Sequence, residues 1–65
     1  MDHKKIADRL LTLRGNKPLK EVSAAIGVSI ASVQRYESGK QIPSDDVKIA
    51  IANYYGKTVQ SIFYD

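Results

Sequence analysis

The chain has no cysteine, which excludes both a disulfide framework and a Cys-based metal cluster as the means of holding it together. Its single histidine, His3, stands near the start of the chain with no Cys, Ser or carboxylate partner at an implicating spacing, so a surface position is expected. No apolar run approaches the roughly 20 residues needed to cross a bilayer. The opening residues Met1-Asp2-His3-Lys4-Lys5 lead into an amphipathic segment rather than the apolar stretch of a signal peptide. Neither a membrane-spanning nor a secreted protein is expected, and a reducing cytoplasm suits the composition. Sustained alternation with a period of two is also missing, which excludes a strand-built fold.

What is present fits one small helical domain over residues 1–65. A chain of 65 residues buries only about 60% of the surface that it exposes when unfolded. The core is therefore small, and its stability must come from packed helices, with self-association as a further contribution. The formal net charge is +3, a mild bias whose distribution matters more than its size. Residues 1–40 hold eight Lys and Arg against four acids, whereas the remainder holds two against three. A surface that meets a polyanion belongs to the first part.

Turn residues divide the chain into five periodic segments. Ile6, Leu10 and Leu13 give one face of a first helix from about Asp2 to Arg14, stopped by Gly15-Asn16. Pro18 suits the first position of a second helix, whose stripe is Val22 and Ile26 and whose end is Gly27. Ser29 can cap a third helix, from Ile30 to about Ser38, with Gly39 as the left-handed residue that ends it. Only Val33 and Tyr36 give this third helix an inward face; its other positions mix small, amide and charged side chains suited to a polar partner. Ser44 caps a fourth helix to about Tyr55, with Asp45 and Asp46 in its first turn and Val47, Ala50, Ile51 and Tyr54 as its stripe. Gly56 stops it, and Thr58 caps a last turn through Val59, Ile62 and Phe63. The fold class is all-α, a compact bundle of five short helices.

The adjacent acids Asp45 and Asp46 are explained by the helix dipole and point in different directions, so they do not form a catalytic pair. No catalytic residue, metal or cofactor is expected. The aromatics Tyr54, Tyr55, Phe63 and Tyr64 cluster late in the chain. Tyr54 and Phe63 are assigned to the core, and Tyr55 and Tyr64 to a homodimer contact.

The stretch from Pro18 to Lys40 carries a specific pattern: Val22 and Ser23 mid-way in the second helix, Gly27-Val28-Ser29 at the turn, Val33 in the third helix, and Tyr36-Glu37-Ser38-Gly39-Lys40 at its end. A small residue at Ser23 lets helices approach, Gly27 permits a left-handed turn, and Val33 and Tyr36 plug into the core. The combination resembles the helix-turn-helix of the Xre/Cro-like, or lambda-repressor-like, family, with the motif over about residues 18–40 formed by the second and third helices. The likeness extends to Pro43-Ser44 and to Gly56-Lys57-Thr58-Val59-Gln60-Ser61-Ile62-Phe63, so it covers nearly the whole chain. Leu19 departs from the pattern by standing where relatives carry a Gln that contacts the DNA backbone, and the connection Arg14-Gly15-Asn16-Lys17 is shorter than usual.

The resemblance implies a sequence-specific regulator of transcription, most simply a repressor although activation through a polymerase contact is equally compatible, bacterial or phage-encoded, that binds double-stranded DNA as a homodimer and performs no reaction. Ile30, Ala31, Gln34 and Arg35 occupy or adjoin positions that read bases: Arg pairs bidentately with guanine, Gln with adenine, and apolar side chains touch the thymine methyl. An incidental exposed pair remains the alternative for Ile30 and Ala31. Lys17, Ser29, Ser32 and Lys40 are the expected phosphate contacts, although capping alone also accounts for Ser29. Arg14 is expected to pair with Glu37 and so position the third helix. The second functional reading is a protein-interaction module of the same fold that binds a toxin or an antagonist regulator.

Overall fold

The computed structural model describes residues 2–65 and contains five helices among them: α1 (His3–Arg14), α2 (Leu19–Ile26), α3 (Ile30–Glu37), α4 (Asp45–Tyr55) and a last turn, α5 (Gln60–Tyr64). Local chemistry sets most of the boundaries. Asp2 starts α1 by accepting from the backbone N–H groups of Lys4 and Lys5 at 3.0 and 3.1 Å, donors that have no partner inside the helix. Those bonds hold the Asp2 carboxyl below its ordinary pKa. Ser29 starts α3 in the same way, its hydroxyl accepting from the Ser32 N–H at 3.1 Å.

Four local expectations are corrected. Pro18 is the residue before α2, with an extended backbone, rather than its first helical residue. Ser44 precedes α4 but makes no side-chain cap bond. The inward face of α4 is Lys48, Ile51 and Ala52, while Val47, Ala50 and Tyr54 are only half-buried. Finally, α5 is wound as a π-type turn; Thr58 nevertheless accepts from the Ser61 N–H at 3.0 Å across its start.

All five helices contribute to one core: Ile6 and Leu10 of α1, Val22 and Ile26 of α2, Val33 and Tyr36 of α3, Ile51 and Ala52 of α4, and Ile62 and Phe63 of α5. α3 packs against α1 and α2, α2 also against α4, and α5 against α1. Arg9 ties the last of these joints by donating from Nη1 to the Ile62 carbonyl at 2.9 Å and from Nη2 to the Asp65 carbonyl. Lys48, buried in α4, donates from Nζ to the Tyr64 hydroxyl at 2.8 Å and lies 4.9 Å from the Tyr64 ring centroid, so a hydroxyl and a π face replace the water it has lost.

Two features fix α3 in particular. The first is ionic: Glu37 is buried on its inner face, and Arg14 Nε donates to both carboxylate oxygens, at 3.0 and 2.8 Å. Arg14 Nη1 donates to the Lys17 carbonyl at 2.9 Å, so one guanidinium holds the end of α1, the loop and α3 together. The second is the reversal at Gly39, whose φ of 76° is left-handed. The Lys40 N–H donates to the Arg35 carbonyl and the Gly39 N–H to the Tyr36 carbonyl, the paired bonds of a Schellman end. The start of α1 closes over this turn. His3 Nδ1 donates to the Gly39 carbonyl at 3.3 Å, and a Cβ on residue 39 would stand 3.3 Å from the His3 carbonyl oxygen.

Two stability measurements test these joints. Gly27 shares a left-handed φ of 79° but has open space around it, so Gly27→Ala should cost about 1 kcal/mol from the backbone alone. Gly39→Ala should cost more in the same denaturant titration, because it must also displace α1; equal midpoints would show that the contact with His3 gives way freely. Arg14→Ala should cost roughly 2 kcal/mol by stranding a buried carboxylate, less than a fully enclosed pair because the Arg14 side chain keeps 21% of its exposure. A double-mutant cycle with Glu37→Gln should return a coupling of about 1 kcal/mol; a coupling of zero would leave α3 anchored by apolar packing alone.

Candidate nucleic-acid interface

With Val33, Tyr36 and Glu37 turned into the protein, the 3.6-residue period turns Ala31, Gln34 and Arg35 outward. Ile30 lies at the edge of this face and is 41% exposed, an uncovered apolar side chain at the N-terminal end of α3. Among the described residues, Gln34 has no side-chain hydrogen-bond partner, so its amide keeps both donors and its acceptor for an outside group. These four side chains form one continuous strip.

Ser29, Ser32, Arg35 and Gln41 form a hydrogen-bonded row along the same helix. Ser29 Oγ donates to Ser32 Oγ at 3.0 Å, Arg35 Nη2 donates to Ser32 Oγ at 3.1 Å, and Arg35 Nε donates to Gln41 Oε1 at 2.9 Å. The row separates the two serines chemically. Ser29 spends its proton on Ser32 and accepts the α3 cap bond, whereas Ser32 accepts twice and retains a proton to give. Of the two, Ser32 is equipped to donate to a phosphate.

Lys17 and Lys40 are exposed, and both have fixed backbones, that of Lys40 directly on the strip residue Arg35. The Lys17 loop is held by its N–H donating to the Arg14 carbonyl at 3.0 Å and by the Arg14 guanidinium at its own carbonyl. Lys40 follows the Gly39 reversal, with its N–H on the Arg35 carbonyl at 3.0 Å. Arg14 itself faces inward to Glu37, and this carboxylate raises its already high pKa further. Leu19, at the start of α2, is half-buried against the core and presents no polar group there.

The aromatics divide differently from expectation. Phe63 is buried, Tyr54 and Tyr55 are both half-buried and packed edge to face at 4.9 Å, and Tyr64 is 51% exposed. Burial pushes the Tyr55 hydroxyl up to about 12, with the Glu37 carboxylate acting in the same direction. Tyr64 therefore offers open aromatic surface, whereas much of Tyr55 is already spent on the core. The sequence did not point to Gln41, Arg9 or the burial of Lys48. Gln41 was hidden because its role depends on where a left-handed turn sends the chain.

The described residues hold no His, Cys, Asp or Glu cluster fit for a metal ion, and no helix of theirs is long and apolar enough to cross a membrane. No curated protein and no solved structure gives a significant match to the chain. The helix-turn-helix family model matches residues 6–62, which takes in α1 through most of α5, including the α2–turn–α3 unit and the exposed strip of α3. The chain belongs to the Xre/Cro-like helix-turn-helix family, a family of DNA-binding regulators.

Proposed function

We propose that the protein is a sequence-specific regulator of transcription that binds double-stranded DNA as a homodimer and represses by occupying its site. The observation that carries the reading is the division of α3 into an inner face of Val33, Tyr36 and Glu37 and an outer strip of Ile30, Ala31, Gln34 and Arg35. In the major groove Arg35 would read a guanine, Gln34 an adenine, and Ile30 and Ala31 a thymine methyl. Lys17, Lys40 and Ser32 would neutralise or bond phosphates and fix the register, while Ser29 serves mainly as the cap. Arg14 and Glu37 would set the angle of α3 to the duplex, and no reaction is involved. The proposed dimer uses Tyr64, with the exposed edge of Tyr55, to place two copies of α3 on half-sites about 34 Å apart.

The second reading, a protein-binding module of the same fold, draws support from Leu19, whose apolar side chain gives no phosphate contact at the start of α2. Salt dependence separates the two. DNA binding through phosphates should weaken steeply as salt rises and favour one sequence. Salt-insensitive capture of a protein partner, with no affinity for any duplex, would favour the module.

Selection of duplexes from a random pool supplies the site for three further tests. Arg35→Ala should cost roughly 1–3 kcal/mol on the selected duplex and flatten preference at one base pair, with little effect on unrelated DNA. Lys40→Ala should weaken both kinds of binding and reduce the salt slope by about one unit. Full base preference in Arg35→Ala, with folding intact, would remove that side chain from the reading surface. For the dimer, sedimentation with the selected duplex should give two protomers per site at saturation; one protomer bound at full affinity would exclude it.

A further inference from the structure

A long, exposed arginine reads a base best when its guanidinium is already aimed, because fixing so flexible a side chain on binding costs conformational entropy. Arg35 is exposed, yet it is held on one side by two neighbours. Gln41 Oε1 accepts from Nε at 2.9 Å, and Ser32 Oγ accepts from Nη2 at 3.1 Å. The two contacts use the donors of Nε and Nη2. The donors left over are the two of Nη1 and the second of Nη2, at the far end of the fork.

We propose that Gln41, which lies beyond the two motif helices, is a specificity-determining positioning residue that aims Arg35 for end-on reading of a guanine. The proposal rests on the base-reading role given to Arg35 above. Gln41 is placed by backbone geometry. The left-handed Gly39 turns the chain back, and the N–H groups of Lys40 and Gln41 both donate to the Arg35 carbonyl, at 3.0 and 3.3 Å. Residue 41 is thus anchored by backbone and side chain to the same arginine. Ser32 is braced in turn by the Ser29 hydroxyl at 3.0 Å, so the clamp has a fixed end on each side. With Nε occupied, side-on pairing through Nε and Nη2 is blocked, and the free Nη1–Nη2 end matches the paired O6 and N7 acceptors of guanine.

The test uses a duplex selected from a random pool by the wild-type protein, its single-base variants and an unrelated duplex. Three variants are compared: Arg35→Ala, Gln41→Met, which keeps the length but has no acceptor of comparable strength, and Gln41→Glu, which keeps the acceptor. Gln41→Met should lower discrimination about fivefold to tenfold at the same base pair that Arg35→Ala flattens, within the range that one mismatched pair is worth. Its affinity for unrelated duplex, its salt slope and its melting temperature should not move, and in the Arg35→Ala background it should have no further effect on discrimination. Gln41→Glu should keep the discrimination while binding all DNA more weakly through its added charge. If Arg35→Ala flattens the base pair and Gln41→Met does not, the clamp is rejected and the reading by Arg35 stands. If Arg35→Ala leaves every preference intact, both fall. A general gain in affinity from Gln41→Met would mean that Gln41 withholds the arginine rather than presenting it, and would also overturn the proposal.

Discussion

A carboxylate enclosed in a small apolar core is tolerable only if a cation comes to meet it, and the placement of α3 follows from that constraint. Glu37 is 8% exposed, and losing its hydration is affordable because Arg14 Nε bridges both of its oxygens. The partner cannot come from α3 itself, since the inner face there is otherwise Val33 and Tyr36. It comes from the last residue of α1, and the same guanidinium also clasps the Lys17 carbonyl in the loop. Three parts of the chain are therefore registered by one planar group. An apolar contact in the same place would tolerate sliding; a two-oxygen bridge with a third bond to the loop does not.

The same C-terminal end of α3 is fixed a second time by covalent geometry rather than by charge. Gly39 permits the left-handed turn that closes the helix, and the absence of a Cβ lets the start of α1 approach within bonding distance of its carbonyl. The two ends of α1 thus both meet the C-terminal end of α3, through Arg14 at Glu37 and through His3 at Gly39. A helix of eight residues has little cooperative stability of its own. Pinned twice, it can carry a polar outer face without depending on that face for folding, and its outward side chains are free to be chosen for a partner.

Much of this was legible in the sequence because caps and turn residues act over three or four positions. Ser29, Gly27, Gly39 and Gly56 place helix ends close to where they fall, and the pairs Val22 with Ile26 and Val33 with Tyr36 give the buried faces of the motif. The misjudged elements depend on distant partners. Lys48 reads as a solvated charge on α4 until Tyr64 and Phe63, sixteen and fifteen residues later, fold over it, and its burial rotates the stripe toward Ala52. Arg9 was unremarkable until α5 brought two free carbonyls to it. Of the interface, the outward residues of α3 follow from helical period alone, whereas the bond from Arg35 to Gln41 requires the path of the chain after Gly39.

The burial of Glu37 also has an electrostatic consequence for the outer strip. α3 contains a single acid, and a carboxylate displayed on a helix that approaches phosphates would repel them through the same low-salt, long-range term that attracts lysine and arginine. Turning that acid inward and neutralising it with Arg14 leaves the outer strip with Arg35 as its only charged side chain and Lys40 immediately beyond. The acids that follow in sequence, Asp45 and Asp46, sit in the first turn of α4, where the helix dipole favours them. One ion pair thus fixes the angle of α3 and removes the charge that would oppose its use, so the mild net charge of the whole chain understates how positive this face is.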